Sequence, residues 1–275
     1  MRLRVCCICD DRQLDEISEE AVVVTGEFAG STVVVTGGAG GIGRAVGTAF
    51  RDAGAAVVVV DRVGAAEAAE SLGGRAYGIE LDVSDPDEVG ALMAEVNERF
   101  GGPHVLVTLA GGSLGTPPVF ASIAPDDLDL VLDVNVKGTF YCVQAAAPYM
   151  TAAGGGAVVT VSSIGARQPS PVTGVAYATA KAAIGGMTRK LARELGGANI
   201  RVNAIAPGLF LTDRLRARFE TMPEVEQREV LDAIALGRMP ELREIVDPIM
   251  FLCSDAASFI TGITLDVNGG RYLPA

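Results

Sequence analysis

Tyr177 and Lys181 stand four residues apart in a stretch, 175–195, that reads as helix, so their side chains share one face, a single turn apart. The chain holds five Tyr and only three Lys (Lys137, Lys181 and Lys190), so the pairing is no product of abundance. A phenol with an ordinary pKa of about 10 is a poor base at neutral pH. An ammonium about 4 Å away contributes about 4 kcal/mol at an effective dielectric near 20, or roughly three pKa units. The pair therefore predicts a phenol able to take a proton from an alcohol or return one to an alkoxide. A surface Tyr–Lys pair is the alternative, and Ser162-Ser163 at the end of a Val-rich run upstream argues against it. His104 is the single His, far from this group in the chain, and reads as structural or solvent-facing. That disfavours a Ser-His-Asp triad and a His-rich metal site.

A second group is built from glycine. The run Thr36-Gly37-Gly38-Ala39-Gly40-Gly41-Ile42-Gly43-Arg44 follows a Val-rich strand and opens a helix. Glycine at such a turn lets backbone approach a pyrophosphate, and the helix aims unpaired N–H groups and its positive dipole end at that anion. A second strand ends at Asp61, where a carboxylate suits the two hydroxyls of an adenosine ribose and repels a 2′-phosphate. Asp61 argues for NAD over NADP; the adjacent Arg62 leaves NADP as the alternative.

The elements that must carry these groups alternate regularly. Apolar runs at 32–36, 56–61, 75–81, 105–109, 157–162, 200–205 and 263–267 are separated by helical stretches that include 43–53, 86–100, 125–150 and 175–195. Continuous rather than alternating apolarity marks strands buried on both faces. The pattern predicts a single α/β domain, a Rossmann-type doubly wound parallel seven-stranded sheet flanked by helices. Residues 1–30 read as an acidic, flexible leader outside a domain spanning 31–275.

Composition narrows the function. A 275-residue chain with 49% hydrophobic residues suffices for a large core, and a net charge of −12 disfavours nucleic acid as a partner. Cys6, Cys7 and Cys9 lack a nearby fourth ligand, so no metal site is expected; Cys142 and Cys253 complete an odd count that does not read as a disulfide framework. No apolar run of 18 residues occurs, so no membrane span is expected, and the cytoplasm is the expected compartment.

The motif Thr36-Gly37-x-x-x-Gly41-x-Gly43 resembles the fingerprint of the short-chain dehydrogenases/reductases. Further matches follow in that family's order: Leu81-Asp82-Val83, Asn135-Val136-Lys137-Gly138, Ser162-Ser163, Tyr177-x-x-x-Lys181, Pro207-Gly208 and Val267-Asn268-Gly269-Gly270. The likeness covers residues 30–272, with one departure: Thr108-Leu109-Ala110-Gly111 stands where the family usually reads Asn-Asn-Ala-Gly. Leu109 lacks the amide that would tie neighbouring strands together. The resemblance implies a catalytic set of Ser163, Tyr177, Lys181 and Asn135. In it Ser163 polarises the substrate oxygen, with Ser162 as the other candidate, and Asn135 holds a water that links Lys181 to solvent. It also implies a cofactor site of Gly37, Gly41, Ile42, Gly43, Asp61, Asp82, Val83, Ala110, Gly111, Tyr177, Lys181, Pro207, Gly208 and Thr212. A homotetramer packed through the helices at 125–150 and 175–195 is implied as well.

Pockets in such sheets lie beyond the carboxyl ends of the strands, here at 112–119, 165–173 and the lid-like 209–238. Phe210, Leu211, Leu215, Phe219 and Met222 in the last segment suit a hydrophobic ketone or secondary alcohol. Arg214, Arg216 and Arg218 read as a solvated helix face, with an acidic carrier protein as the sharper alternative. The expected function is NAD-dependent oxidoreduction of such a substrate. The rivals are an NADPH-dependent 3-oxoacyl-carrier-protein or polyketide ketoreductase and a non-catalytic dinucleotide-binding regulator.

Overall fold

The computed structural model describes residues 26–169, 173–210 and 219–274. Seven parallel strands run in the order β3-β2-β1-β4-β5-β6-β7. They are β1 (Thr32–Thr36), β2 (Ala56–Asp61), β3 (Ala76–Glu80), β4 (Val105–Thr108), β5 (Gly156–Val161), β6 (Ile200–Pro207) and β7 (Thr264–Val267). The helices are α1 (Gly41–Asp52), α2 (Ala65–Leu72), α3 (Pro86–Phe100), α4 (Pro125–Leu132), α5 (Gly138–Ala152), α6 (Val175–Leu195), α7 (Glu224–Asp232) and α8 (Arg243–Cys253). The architecture is the single doubly wound domain expected from the strand–helix alternation.

The Val runs are continuous because each face of the sheet is covered. Val33, Val35, Val57 and Val59 pack with Val46 and Phe50 of α1 and Ile245, Ile249 and Leu252 of α8. The intervening Val34, Val58 and Val60 pack with Val89, Met93 and Val96 of α3 and Cys142, Val143 and Met150 of α5. Successive side chains of a strand point to opposite faces, so two cores need two interleaved apolar sets. Helix boundaries follow local chemistry. At α3, the Asp85 carboxylate accepts from the Asp87 and Glu88 amides, Pro86 opens the first turn, and Gly101 closes the helix at φ +80°.

Two expectations need correction. The leader does not extend to residue 30: Phe28 is buried, its ring sits edge-on to Phe50 at 4.9 Å, and its amide donates to the Ala53 carbonyl at 3.0 Å. An apolar ring four residues before β1 joins the core even though its neighbours carry no periodic pattern. Nor is 125–150 one α-helix. A π-helical segment, Asp133–Lys137, separates α4 from α5 and centres on Asn135. There the Asn135 side chain donates to the Val131 carbonyl at 2.9 Å while also gripping Gly112, which accommodates the widened turn.

The single His closes the amino end of the sheet. Nδ1 of His104 accepts from the Thr32 amide at 3.0 Å, and its backbone bridges Thr32 and Ala157. It is structural, as its position in the chain suggested. Among the described residues no helix is long and apolar enough to cross a membrane.

Candidate active site

The strand order reverses between β1 and β4, and in such sheets a ligand crevice opens at that point. Gly37 leaves β1 at φ +67°, and a Cβ there would lie 2.7 Å from the Ala110 amide nitrogen, so only glycine admits this approach. A Cβ on Gly43 would strike the Gly37 carbonyl, whereas one on Gly41 would meet open space. The first intrahelical bond runs from the Arg44 amide to the Gly40 carbonyl at 2.8 Å. The N–H groups of Gly41, Ile42 and Gly43 precede it and stay free for an anion.

Asp61 ends β2 beside this loop. Oδ2 accepts from the Ala39 amide at 3.0 Å and Oδ1 from the Arg62 amide at 2.8 Å, so the loop fixes the carboxylate. Asp82 and Val83 follow β3. Ser84 donates twice to Asp82 Oδ1, from its hydroxyl at 2.7 Å and its amide at 2.9 Å, and holds that carboxyl below its ordinary pKa. Val83 presses on α5, where a Cβ at Gly138 would come within 2.7 Å of it. Backbone cradle, dipole end and a carboxylate at the end of β2 together fit a dinucleotide.

At the departure from the family pattern, the strands are tied by another group. The Ala110 amide donates to Thr36 Oγ1 at 3.2 Å and the Leu109 amide to the Thr36 carbonyl at 3.1 Å. Leu109 packs against the core, and the Thr108 hydroxyl is buried without a partner.

Ser162 and Ser163 face opposite ways. The Ser162 hydroxyl is buried and donates to the Lys181 backbone carbonyl at 2.8 Å. Ser163 Oγ accepts from the Gly165 amide at 3.0 Å and lies beside the Tyr177 phenol. Lys181 is buried, its ammonium donates to the Val161 carbonyl at 2.9 Å, and it sits 5.8 Å from the centre of the Tyr177 ring. Burial brings the Lys181 pKa down to about 8. Burial also raises the Tyr177 pKa, and the Ser163 hydroxyl works against that rise. The lowered Tyr177 pKa expected from Lys181 is therefore absent in the protein alone. The ammonium is spent on a carbonyl, and desolvation of the phenolate dominates.

Asn135 is fully buried and acts as a clamp. Its Oδ1 accepts from the Gly112 amide at 2.9 Å, and its Nδ2 donates to the Gly112 and Val131 carbonyls at 3.0 and 2.9 Å. A Cβ on Gly111 would collide with it, so the loop after β4 lies directly on the π segment. Asn135 makes no direct hydrogen bond to Lys181.

Pro207 ends β6, and the Gly208 amide donates to the Val267 carbonyl at 2.9 Å. Leu209, Phe210, Ile234, Leu236 and Asn268 border a cavity of about 230 Å³ next to it. Phe210, assigned to the lid, is buried in the core cluster and lines this cavity from that side. Thr212, with Leu211, Arg214, Leu215, Arg216 and Arg218, lies outside the described residues.

Sequence reasoning missed the backbone partners, the Val161 carbonyl and the Gly165 amide, because backbone groups leave no mark on residue type. It also missed the pair between Arg167 and Asp266, 2.7 Å apart, which joins the segment after Ser163 to β7. Nothing in the spacing of two residues 99 positions apart signals it.

The sequence matches, over residues 37–271, a family model described as enoyl-(acyl carrier protein) reductase. A 3alpha-hydroxysteroid dehydrogenase of Mediterraneibacter gnavus is 38% identical over 245 residues, 86% of this chain and 94% of that one. The 3-oxoacyl-[acyl-carrier-protein] reductase FabG of Thermotoga maritima is 35% identical over 249 residues, covering 89% and 98%. The crystal structure of a 3-oxoacyl-[acyl-carrier protein] reductase with bound NAD from Brucella melitensis superposes with a TM-score of 0.82. Its sequence is 36% identical, with 95% of this chain and 98% of that one covered.

Proposed function

The chain belongs to the short-chain dehydrogenase/reductase family of oxidoreductases, and from that premise we propose that it interconverts a hydrophobic secondary alcohol and its ketone with NAD(H). The observation that carries the reading is the convergence of Ser163, Tyr177 and Lys181 at the carboxyl end of β5, beside a glycine cradle that ends at Asp61.

Gly41, Ile42 and Gly43 would hold the cofactor's pyrophosphate and Asp61 its adenosine ribose. Asp82, Val83, Ala110 and Gly111 would flank the adenosine side, and Pro207 and Gly208 the nicotinamide side. When bound, the nicotinamide ring accepts or returns a hydride. The protein's own work is proton transfer and charge placement. Ser163 Oγ receives the Gly165 N–H and its hydroxyl is hydrogen-bonded to the Tyr177 phenol, so the two hydroxyls stand together to polarise one substrate oxygen. Tyr177 keeps its proton in the protein alone, which suits a donor to a developing alkoxide. Lys181 places positive charge near the phenol and is itself steadied by Val161. Asn135 stiffens the loop that carries Gly111.

Asp61 favours NAD(H) over the NADPH of a carrier-linked 3-oxoacyl reductase, because a 2′-phosphate would meet its carboxylate. A homotetramer is supported by apolar side chains left exposed on the helices expected to pack: Leu130 on α4, Phe140 on α5 and Val175 on α6.

A screen of ketones and secondary alcohols with NADH, NADPH and their oxidised forms tests the reading. Turnover should favour NAD(H), and Tyr177→Phe should lower kcat by about 10²–10⁴-fold. A Tyr177→Phe rate equal to wild type, or a strong preference for NADPH, would overturn it.

A further inference from the structure

Arg62 is an exposed cation one residue past Asp61, and a cation there attracts the 2′-phosphate that Asp61 repels. The turn at 62–64, which joins β2 to α2, governs where both side chains stand. No core holds this turn, because Val63 at its tip is 73% exposed. Its backbone amides are gripped by carboxylates instead. The Arg62 amide donates to Asp61 Oδ1 at 2.8 Å, and the Gly64 amide donates to Glu80 Oε1, also at 2.8 Å.

Glu80 reaches that amide because of the sheet. β3 runs parallel to β2 and sets Glu80 beside Asp61, and the Leu81 amide donates to the Asp61 carbonyl at 3.1 Å. Gly64 precedes α2 at φ +79°, and no side chain of its own caps the helix. Glu80 therefore does from a neighbouring strand what the third helical residue does in a capping box. A Cβ on Gly64 would lie 3.9 Å from Ala39 Cβ, so the held turn rests against the cradle residue whose amide grips Asp61 Oδ2. Arg62 in turn stands within reach of Asp82. The Ser84 hydrogen bonds do most to lower the Asp82 pKa, and the Arg62 guanidinium adds to them.

We propose that Glu80 is a positioning residue for cofactor selection: by holding the Gly64 amide it keeps Asp61 at the adenosine ribose and Arg62 beside Asp82, away from a 2′-phosphate. This rests on the reading of Asp61 as the group that meets the ribose. Glu80 acts through the turn, by its hydrogen bond rather than its charge.

The test measures Kd for NADH and NADPH by fluorescence titration, without substrate, in wild type, Glu80→Ala and Glu80→Gln. Melting temperature and hydrogen exchange at the Gly64 amide are recorded for each protein. Gln keeps an acceptor oxygen and drops the charge. Glu80→Ala should speed that exchange and weaken NADH by about 5-fold or more, while NADPH weakens less than about twofold. Glu80→Gln should stay within about threefold of wild type for NADH, as the retained acceptor requires. The turn lies outside both cores, so an unchanged melting temperature separates its loosening from misfolding. If wild type prefers NADH but Glu80→Ala leaves both Kd values unchanged, or Gln shifts them as far as Ala, the role of Glu80 falls while the NAD(H) reading stands. A wild type that binds NADPH more tightly than NADH overturns that reading, and this one with it.

Discussion

The Ser162 hydroxyl donates to the backbone carbonyl of Lys181 at 2.8 Å, which turns one serine of an adjacent pair into a strut and leaves the other for the reaction. Ser162→Ala removes a second donor from a carbonyl that the α6 ladder already engages and should cost about 0.5–1.5 kcal/mol, with kcat within a few-fold of wild type. Ser163→Ala should leave the melting temperature nearly unchanged and lower kcat by roughly 10²-fold or more. Paired thermal and kinetic measurements on both variants check this, and a reversed pattern would reverse the assignment.

Lys181 should be a stability burden. Its folded pKa of about 8 lies below the ordinary lysine value of 10.5, so between those values the unfolded chain binds more protons than the folded one. Stability therefore rises with pH through that window, and below about 8 the whole cost of burying the ammonium remains. Lys181→Met removes that cost and also the donor to Val161, for a net gain on the order of 1 kcal/mol at pH 7. The variant should lose the alkaline rise in stability and nearly all activity. In wild type, ketone reduction should decline as pH climbs through about 8, where the ammonium is lost. Denaturant titrations across pH, with initial rates on the same samples, decide it.

Asp61 should set cofactor choice. Asp61→Ala removes a carboxylate that the Ala39 and Arg62 amides hold in place. Hydrogen bonds to a charged group contribute about 1.5–3 kcal/mol, so the NADH-to-NADPH ratio of kcat/KM should fall by about 10–100-fold. An unchanged ratio would remove the carboxylate from the argument.

Phe28 should matter although it precedes the first strand. Phe28→Ala empties the space against Phe50 and should destabilise by about 3 kcal/mol. Truncation after Phe28 should do the same, whereas a chain that starts at Gly26 keeps the contact. Melting temperatures of the three proteins test the boundary.

Legibility followed the range of each interaction. The strand at 32–36 and the helices at 86–100 and 175–195 fall where the sequence alone places them, because a two-faced apolar run, an Asp85-Pro86 start and a Gly101 stop are local signals. The Tyr177–Lys181 pairing was equally readable, since one turn of helix guarantees a shared face. The break at Asn135 was not, because it arises where that side chain grips Gly112, 23 residues away. The Tyr177 pKa was misjudged because its direction depends on burial and on where the Lys181 ammonium is spent, and neither is encoded in a four-residue spacing.

By itself, then, the sequence determined the strand–helix order, the glycine cradle, and the residue types able to move a proton. Those follow from backbone geometry and side-chain chemistry over a few residues. Only the tertiary structure decided which serine faces Tyr177, that Val161 holds Lys181, and that Phe28 belongs to the core. Each depends on groups far apart in the chain, and their contact exists only once the sheet has brought the strand ends together.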